Sequence, residues 1–190
     1  MTPSQITGEK SLYKGNYIEL KLLTYRDEKL VSRTWESAMR NPPTPAVMIL
    51  PLIRPDNEVV VIRQFRPPTG KYVWETPAGL IDPEETPAEA ALRELAEETG
   101  FSGKLTKLLP PSFSSSGLSG EFVYMAFVEI DGREFPADRQ LETHFDESEN
   151  ISTFRVKLPE LRDFLQQQLD RGDGVDSKLL LYSEMVSHQF

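Results

Sequence analysis

Glutamates are concentrated in one short stretch of the chain, where the side chains of five of them could bind a metal ion. The five are Glu85, Glu89, Glu94, Glu97 and Glu98. Glu94 precedes Glu97 by three residues and Glu98 by four, so a helix would cluster these three carboxylates. Like charges at this spacing destabilise a helix, most of all near its C-terminus. A hard cation such as Mg²⁺ or Mn²⁺ would remove the repulsion, because it prefers carboxylate oxygens.

The sequence around these glutamates predicts a short helix. Thr86 is a suitable N-cap, Pro87 suits the first helical position, and Glu89 completes a capping-box pattern with Thr86. Gly100 is placed to end the helix in a left-handed conformation. The apolar face expected from helical spacing consists of Ala88, Ala91, Leu92, Leu95 and Ala96. The three clustered glutamates are expected to lie off that face.

The spacing of the whole stretch favours a metal site over the simpler interpretation, a solvated acidic helix face. The pattern is Gly, five residues, Glu, seven residues, then Arg-Glu-apolar-x-Glu-Glu-x-Gly-apolar, from Gly79 to Phe101. Seven positions require one residue type, so at roughly 6% usage each a chance match is on the order of 10⁻⁸ to 10⁻⁹. Residues 79–101 resemble the Nudix box of the Nudix hydrolase family without a departure.

The resemblance implies an enzyme that uses Mg²⁺, or alternatively Mn²⁺, to hydrolyse a nucleoside diphosphate linked to another moiety. It implies metal ligands from three side chains and one backbone carbonyl, those of Glu94, Glu97, Glu98 and Ala78. Glu97 would serve a second ion and, with Arg93, belongs to the expected catalytic group. Arg93 and Glu85 would brace the box, with Arg93 paired to Glu97 or Glu89.

A general base is also expected, and the resemblance points to a glutamate in a loop before a late strand. In the ADP-ribose pyrophosphatase branch of the family this glutamate activates the water. Here the corresponding loop is 146–151, in which Glu149 fits best and Glu147 is the second candidate. A neighbouring like charge and partial burial could raise the pKa of such a carboxyl group toward a useful value. The alternative for either glutamate alone is a solvated loop position.

Segments outside the box are similar to the ADP-ribose and ADP-sugar pyrophosphatases. These segments are residues 33–37, 64–68 and 77–82. The resemblance implies that Arg66 contacts the substrate phosphates and that Trp35 stacks on the base. Tyr17 is a weaker stacking candidate, and Arg40 could add charge nearby. The alternative for Trp35 is burial in the core, but its polar neighbours favour exposure.

The specificity of the substrate site is left open by one departure from the ADP-ribose subgroup. That subgroup commonly has a proline after the box at the position of Ser116. ADP-ribose is the expected substrate, and GDP-mannose or a broad range of nucleoside diphosphate sugars is the alternative. Gly79, Leu80 and Ser116 complete the expected substrate-binding set. A non-catalytic nucleotide-binding Nudix module is a further alternative, against which the intact box argues.

The composition narrows the class of protein. The chain has 190 residues, no cysteine, and a net charge of −9 from 30 acidic and 21 basic residues. Thiolate chemistry is excluded, and nucleic acid or an anionic membrane is not the expected partner. The sequence contains no apolar run of membrane-spanning length and no apolar signal core, so we expect a soluble cytoplasmic protein. By resemblance to the pyrophosphatases, we expect a homodimer.

The order of elements predicts an α/β fold, with a mixed sheet between helices. The box implies the same architecture, the α/β/α sandwich of the Nudix fold. Residues 1–42 are expected to form a small N-terminal β extension, which serves dimerisation and the site where the substrate's nucleotide base binds. Residues 1–10 are expected to be mobile. Residues 43–190 are expected to form the Nudix domain. The predicted strands are 17–23, 30–36, 46–51, 58–65, 103–109, 121–130 and 151–156, and further helices are predicted around 161–169 and 179–186.

Overall fold

The N-terminal part of the chain forms a separate three-stranded antiparallel sheet. A computed structural model describes residues 2–136, 141–144 and 150–187 of the protein. The sheet has the order β1 (Gln5–Lys14), β2 (Ile18–Arg26) and β3 (Ser32–Arg40). The predicted β extension is present, and residues 5–10, which we expected to be mobile, belong to β1. Every residue of β1 is exposed, and its sequence shows no apolar alternation. Only its long-range pairing with β2 therefore defines it as a strand.

A nine-stranded mixed sheet forms the centre of the protein. Its strands are β4 (Ala46–Arg54), β5 (Glu58–Arg66), β6 (Lys71–Glu75), β7 (Ala78–Leu80), β8 (Lys104–Leu108), β9 (Ser112–Phe113), β10 (Phe122–Asp131), β11 (Ile151–Lys157) and β12 (Gly174–Val175). The main order is β12-β6-β5-β4-β10-β8, while β11 pairs with β5, β7 with β4, and β9 with β10. The β4–β10 and β6–β12 pairs are parallel, and the other pairs are antiparallel.

Helices cover both faces of this sheet, which confirms the predicted α/β/α sandwich. The helices are α1 (Pro87–Thr99), α2 (Leu161–Asp170) and α3 (Ser177–Ser187). Val60 packs in the core cluster that contains residues of α1, whereas Val59 and Val61 pack in the cluster that contains residues of α2 and α3. The apolar run of β5 is thus buried on both faces, as its sequence predicts. Among the described residues, no helix is both long enough and apolar enough to cross a membrane.

Helix α1 begins and ends where the sequence predicts. The Thr86 side chain accepts from the Glu89 backbone, the Glu89 carboxylate accepts from the Thr86 backbone, and Gly100 adopts a left-handed conformation with φ 73°. Its buried apolar residues are Ala90, Ala91 and Leu95, while Ala88 and Ala96 are only half-buried. The buried face is therefore rotated slightly from the predicted one.

We predict that replacing Leu165 by alanine lowers the free energy of unfolding by roughly 2–5 kcal/mol, because it leaves a cavity in the α2–α3 core. The Leu165 side chain is 0% exposed. Leu181→Ala is the matched control, since Leu181 is 62% exposed. Urea unfolding monitored by circular dichroism measures both variants. Equal destabilisation by the two substitutions would contradict the assigned core.

Candidate active site

Arg93 connects the carboxylates at the start and end of the box. Its Nε and Nη2 each donate to one oxygen of Glu85, both at 2.9 Å. Its Nη1 donates to Glu94 Oε1 at 2.9 Å and to Glu97 Oε2 at 2.8 Å. Its Nη2 also donates to the Leu80 carbonyl at 3.0 Å. The predicted bracing contact with Glu85 and the pairing with Glu97 are both present.

This ion-pair network changes the protonation equilibria of its members. Hydrogen bonding to Arg93 lowers the pKa of Glu85, and hydrogen bonding to Glu85 raises the pKa of Arg93. Arg93 therefore remains a cation, and Glu85 remains an anion, throughout the neutral range. One guanidinium thus offsets three carboxylates, which reduces the repulsion that the sequence predicts for this helix.

Glu98 occupies a buried position, which the helical pattern did not indicate. It is only 4% exposed, although we expected it to lie off the apolar face. Its Oε2 accepts a hydrogen bond from the Ala78 backbone N–H at 3.0 Å. The carboxylate therefore faces β7, where a backbone donor compensates part of the cost of its burial. The helical period does not indicate this contact, because it joins two segments that are distant in the chain.

Gly79 allows the Glu94 carboxylate to lie directly against the backbone of β7. A Cβ atom built on Gly79 would lie 1.9 Å from Glu94 Cδ and 2.0 Å from its Oε1. Two carbon atoms cannot approach so closely, so any side chain at residue 79 would displace this carboxylate. The close approach of the Glu94 carboxylate thus explains why residue 79 is a glycine. Its φ angle lies outside the left-handed region that favours glycine.

The donor set fits a hard divalent cation in its chemistry. Glu94, Glu97 and Glu98 supply carboxylate oxygens, the ligand type that such cations prefer. Within residues 2–136, 141–144 and 150–187, however, no three histidine, aspartate or glutamate side chains are grouped as a bound ion requires. Arg93 holds Glu94 and Glu97, while the Ala78 N–H holds Glu98. The ligand set Glu94, Glu97, Glu98 and Ala78 therefore remains a prediction.

The segments on either side of residues 145–149 contact the C-terminal end of α1. The His144 backbone N–H donates to the Glu97 carbonyl at 2.8 Å. The Thr153 hydroxyl donates to the Glu98 carbonyl at 3.3 Å. Both contacts satisfy carbonyls that a helix end would otherwise leave without a partner. The predicted general bases, Glu147 and Glu149, lie outside the described residues.

The start of the box, in β7, and the start of β10 flank the same end of β4. Ala46 pairs with Leu80 of β7 on one side and with Val123 of β10 on the other. Because neighbouring strands lie about 4.8 Å apart, Leu80 and Val123 are separated by about 10 Å. The substrate candidates Gly79 and Leu80 therefore lie close to the loop that leads into β10, which contains Ser116.

Three further substrate candidates are brought together beside that loop. Trp35 Nε1 donates to the Gly117 carbonyl at 3.1 Å, and Arg40 Nε donates to Glu121 Oε1 at 2.5 Å. Ser116 directly precedes Gly117 and is exposed. Trp35 is 51% exposed, as its polar neighbours predicted, so the alternative of a core tryptophan is wrong.

Tyr17 lies at the same end of the N-terminal sheet. It is 82% exposed, and its carbonyl accepts from the Asn41 backbone N–H at 2.9 Å, directly after Arg40.

Arg66 has a partner that sequence reasoning missed. Its Nε donates to Glu75 Oε2 at 2.8 Å, and Gln64 Nε2 donates to the same oxygen at 3.1 Å. Burial raises the pKa of Glu75, and the charge of Arg66 opposes this rise. The available signal was a lone glutamate directly after the strand-like residues 72–74.

Comparison with known proteins identifies the class of protein. The NUDIX domain family matches residues 42–174. An ADP-sugar pyrophosphatase of Mus musculus is 34% identical over 134 residues, which cover 67% of this chain and 62% of the mouse protein. An ADP-ribose pyrophosphatase of Saccharomyces cerevisiae is 33% identical over 172 residues, which cover 86% of this chain and 74% of the yeast protein.

A solved structure shares the fold. The crystal structure of an ADP compounds hydrolase aligns with 100% of this chain and 97% of its own, with a TM-score of 0.69 and 23% identity. The chain belongs to the Nudix family, as its box predicted. It is a Nudix hydrolase, an enzyme of a class that generally uses divalent metal cations.

We predict that Gly79→Ala weakens divalent-cation binding at least about tenfold, because the new methyl group displaces the Glu94 carboxylate. Gly117→Ala is the matched control, since a Cβ at Gly117 meets no atom within 4 Å. Isothermal titration calorimetry with MgCl₂ measures binding, and circular dichroism checks that the fold is retained. Unchanged binding by a folded Gly79→Ala protein would show that Glu94 is not a ligand.

Proposed function

We propose that this protein hydrolyses the diphosphate linkage of nucleoside diphosphate sugars in the presence of Mg²⁺. ADP-ribose is the foremost substrate, and the products are a nucleoside monophosphate and a sugar phosphate. The observation that carries the proposal is the complete box, with Arg93 joining its two acidic ends. The similarity to the mouse ADP-sugar pyrophosphatase and the yeast ADP-ribose pyrophosphatase supports the choice of substrate.

In this proposal the box binds the cation, with Mg²⁺ preferred and Mn²⁺ as an alternative. Its ligands are the carboxylates of Glu94, Glu97 and Glu98 and the backbone carbonyl of Ala78. When bound, a divalent cation neutralises diphosphate charge and makes a water molecule a better nucleophile. Arg93 and Glu85 hold the start and the end of the box together, and so keep the ligands in place.

A positive charge from the protein must also meet the substrate, because the chain carries a net charge of −9. Arg66 is the proposed phosphate-binding residue. Its side chain is 41% exposed, so the guanidinium is accessible to an anion. A planar guanidinium can donate two parallel hydrogen bonds to phosphate oxygens, which makes it well suited to this role.

Glu149, or alternatively Glu147, is the proposed general base. Two contacts support this assignment: His144 and Thr153 bind the Glu97 and Glu98 carbonyls. The described chain thus reaches the metal-binding end of α1 on both sides of residues 145–149. A carboxylate placed there would accept the proton of the attacking water.

The base of the substrate is proposed to stack on Trp35, with Tyr17 as a second aromatic surface and Arg40 adding charge. The exposure of both rings supports stacking, which requires an accessible face. Gly79, Leu80 and Ser116 complete the proposed substrate site. A broader nucleoside diphosphate sugar range, GDP-mannose included, is the second candidate, since Ser116 leaves the loop without a stiffening proline.

The N-terminal sheet is proposed to mediate a homodimer. A sheet of this size buries little surface alone, and large apolar side chains remain exposed on it. They are Ile6, Leu12, Tyr13 and Ile18 on its strands, and Leu30 and Val31 in the turn between β2 and β3. The proposal also assigns residues 1–42 to this extension, residues 43–190 to the catalytic domain, and the protein to the cytoplasm.

We predict that the wild-type protein with MgCl₂ converts ADP-ribose to AMP and ribose phosphate, and that Glu98→Gln lowers kcat by a factor of about 100 or more. The glutamine keeps the shape of the side chain but removes the metal-binding charge. Glu84→Gln, at an exposed residue of the same segment, is the control and should retain full activity.

Product analysis by ion-exchange chromatography over a panel of nucleoside diphosphate sugars measures this prediction. Equal turnover by Glu98→Gln would contradict the metal assignment. A wild-type protein that binds these nucleotides without hydrolysing them would instead favour a non-catalytic Nudix module.

A second prediction concerns the N-terminal sheet. Deleting residues 1–42 should convert a dimer to a monomer and raise KM for ADP-ribose at least about tenfold, because it removes Trp35 and its stacking contribution. Size-exclusion chromatography with light scattering measures the oligomeric state. Trp35→Ala in the full chain separates loss of stacking from loss of assembly. A fully active monomer would refute the proposed site.

A further inference from the structure

The Arg66–Glu75 pair has an unusual direction on the sheet. In the β5–β6 ladder Ile62 lies opposite Glu75, and Arg66 lies opposite Lys71. Because side chains alternate along a strand, Arg66 and Glu75 share one face of the sheet. Arg66 nevertheless bonds Glu75, four residues further along β6 than its own cross-strand partner. Its guanidinium is therefore turned back along the ladder, toward the end of β6 that leads into the box.

Glu75 holds this guanidinium by one edge. Glu75 Oε2 accepts from both Arg66 Nε, at 2.8 Å, and Gln64 Nε2, at 3.1 Å, so two donors define the position of the carboxylate. The Glu75 side chain is 17% exposed, whereas that of Arg66 is 41% exposed. Within the described part of the chain, the ion pair engages Arg66 through Nε. This ion pair leaves the Nη atoms for another acceptor, so they can meet an anion.

The pair lies close to the proposed metal ligands. Glu75 precedes Ala78 by three residues, so their Cα atoms are at most about 11 Å apart. The Ala78 N–H is the group that binds the Glu98 carboxylate. A diphosphate bound at the box would thus lie within reach of a guanidinium anchored at Glu75.

Stability alone gives a poor account of this pair. Burial raises the pKa of Glu75, and the nearby charge of Asp176 adds to the rise. Removing a carboxylate from water costs free energy that a single ion pair often fails to repay, so two apolar residues could serve stability equally well. A carboxylate is required, by contrast, if the position of the arginine must be fixed.

We propose that Glu75 is a positioning residue, which orients the Arg66 guanidinium so that its Nη edge meets the substrate diphosphate. This inference rests on the proposed function of Arg66. It predicts that Glu75 acts only through Arg66. The competing interpretation is that Glu75 neutralises Arg66 and keeps it from the substrate, and this predicts the opposite sign for the effect of a Glu75 substitution.

The test is a double-mutant cycle with ADP-ribose and MgCl₂. Glu75→Gln should lower kcat/KM about tenfold, chiefly through KM, because the guanidinium loses its anchor. In the Arg66→Ala background the same substitution should have no further effect. Glu58→Gln is the matched control: Glu58 pairs with Arg155 Nε at 2.7 Å at the opposite end of β5, and its side chain is also 17% exposed. It should change Tm without changing KM.

Each result of the cycle supports or overturns the inference. An unchanged or lowered KM for Glu75→Gln, or a loss that persists in the Arg66→Ala background, would overturn it while leaving the proposed function intact. Wild-type kinetics for Arg66→Ala would refute both the proposed role of Arg66 and the inference. An inactive wild-type protein would refute the proposed function itself, and the inference would fall with it.

Discussion

Electrostatic repulsion at the C-terminal end of α1 is the constraint on which the site depends. Three carboxylates crowd the last two turns, where the helix dipole already disfavours negative charge. Arg93 pairs with Glu94, Glu97 and the distant Glu85, while the Ala78 N–H receives Glu98. These contacts hold the charges close together without leaving them uncompensated. Such an arrangement concentrates negative charge at the proposed cation site.

The central sheet brings the other parts of the site to this helix. Near its start β4 is flanked by β7 on one side and β10 on the other, so the start of the box and the loop that contains Ser116 lie about two strands apart. That loop in turn binds β3 through the Trp35 indole N–H and the Ala38 N–H. The N-terminal sheet is thus connected to the central sheet at the edge where the substrate candidates meet.

Much of this architecture follows from local sequence. Thr86, Glu89 and Gly100 define both ends of α1, because caps depend on residues only a few positions apart. The apolar run of β5 predicts a strand covered on both faces. Strand β1, however, has no apolar period, and the partner of Arg66 is nine residues away on another strand. Features of this kind depend on pairing, which no local pattern encodes.

The sequence by itself determined the family, the reaction class, and the helix that carries the acidic residues. It could do so because the characteristic residues of the box all lie within residues 79–101. Along a helix, the number of residues between two side chains determines the distance between them. Only the tertiary structure decided that Glu98 is buried against β7, that Gly79 makes room for Glu94, and that Glu75 holds Arg66. Each of these contacts joins segments that the chain separates, so burial and strand register decided them.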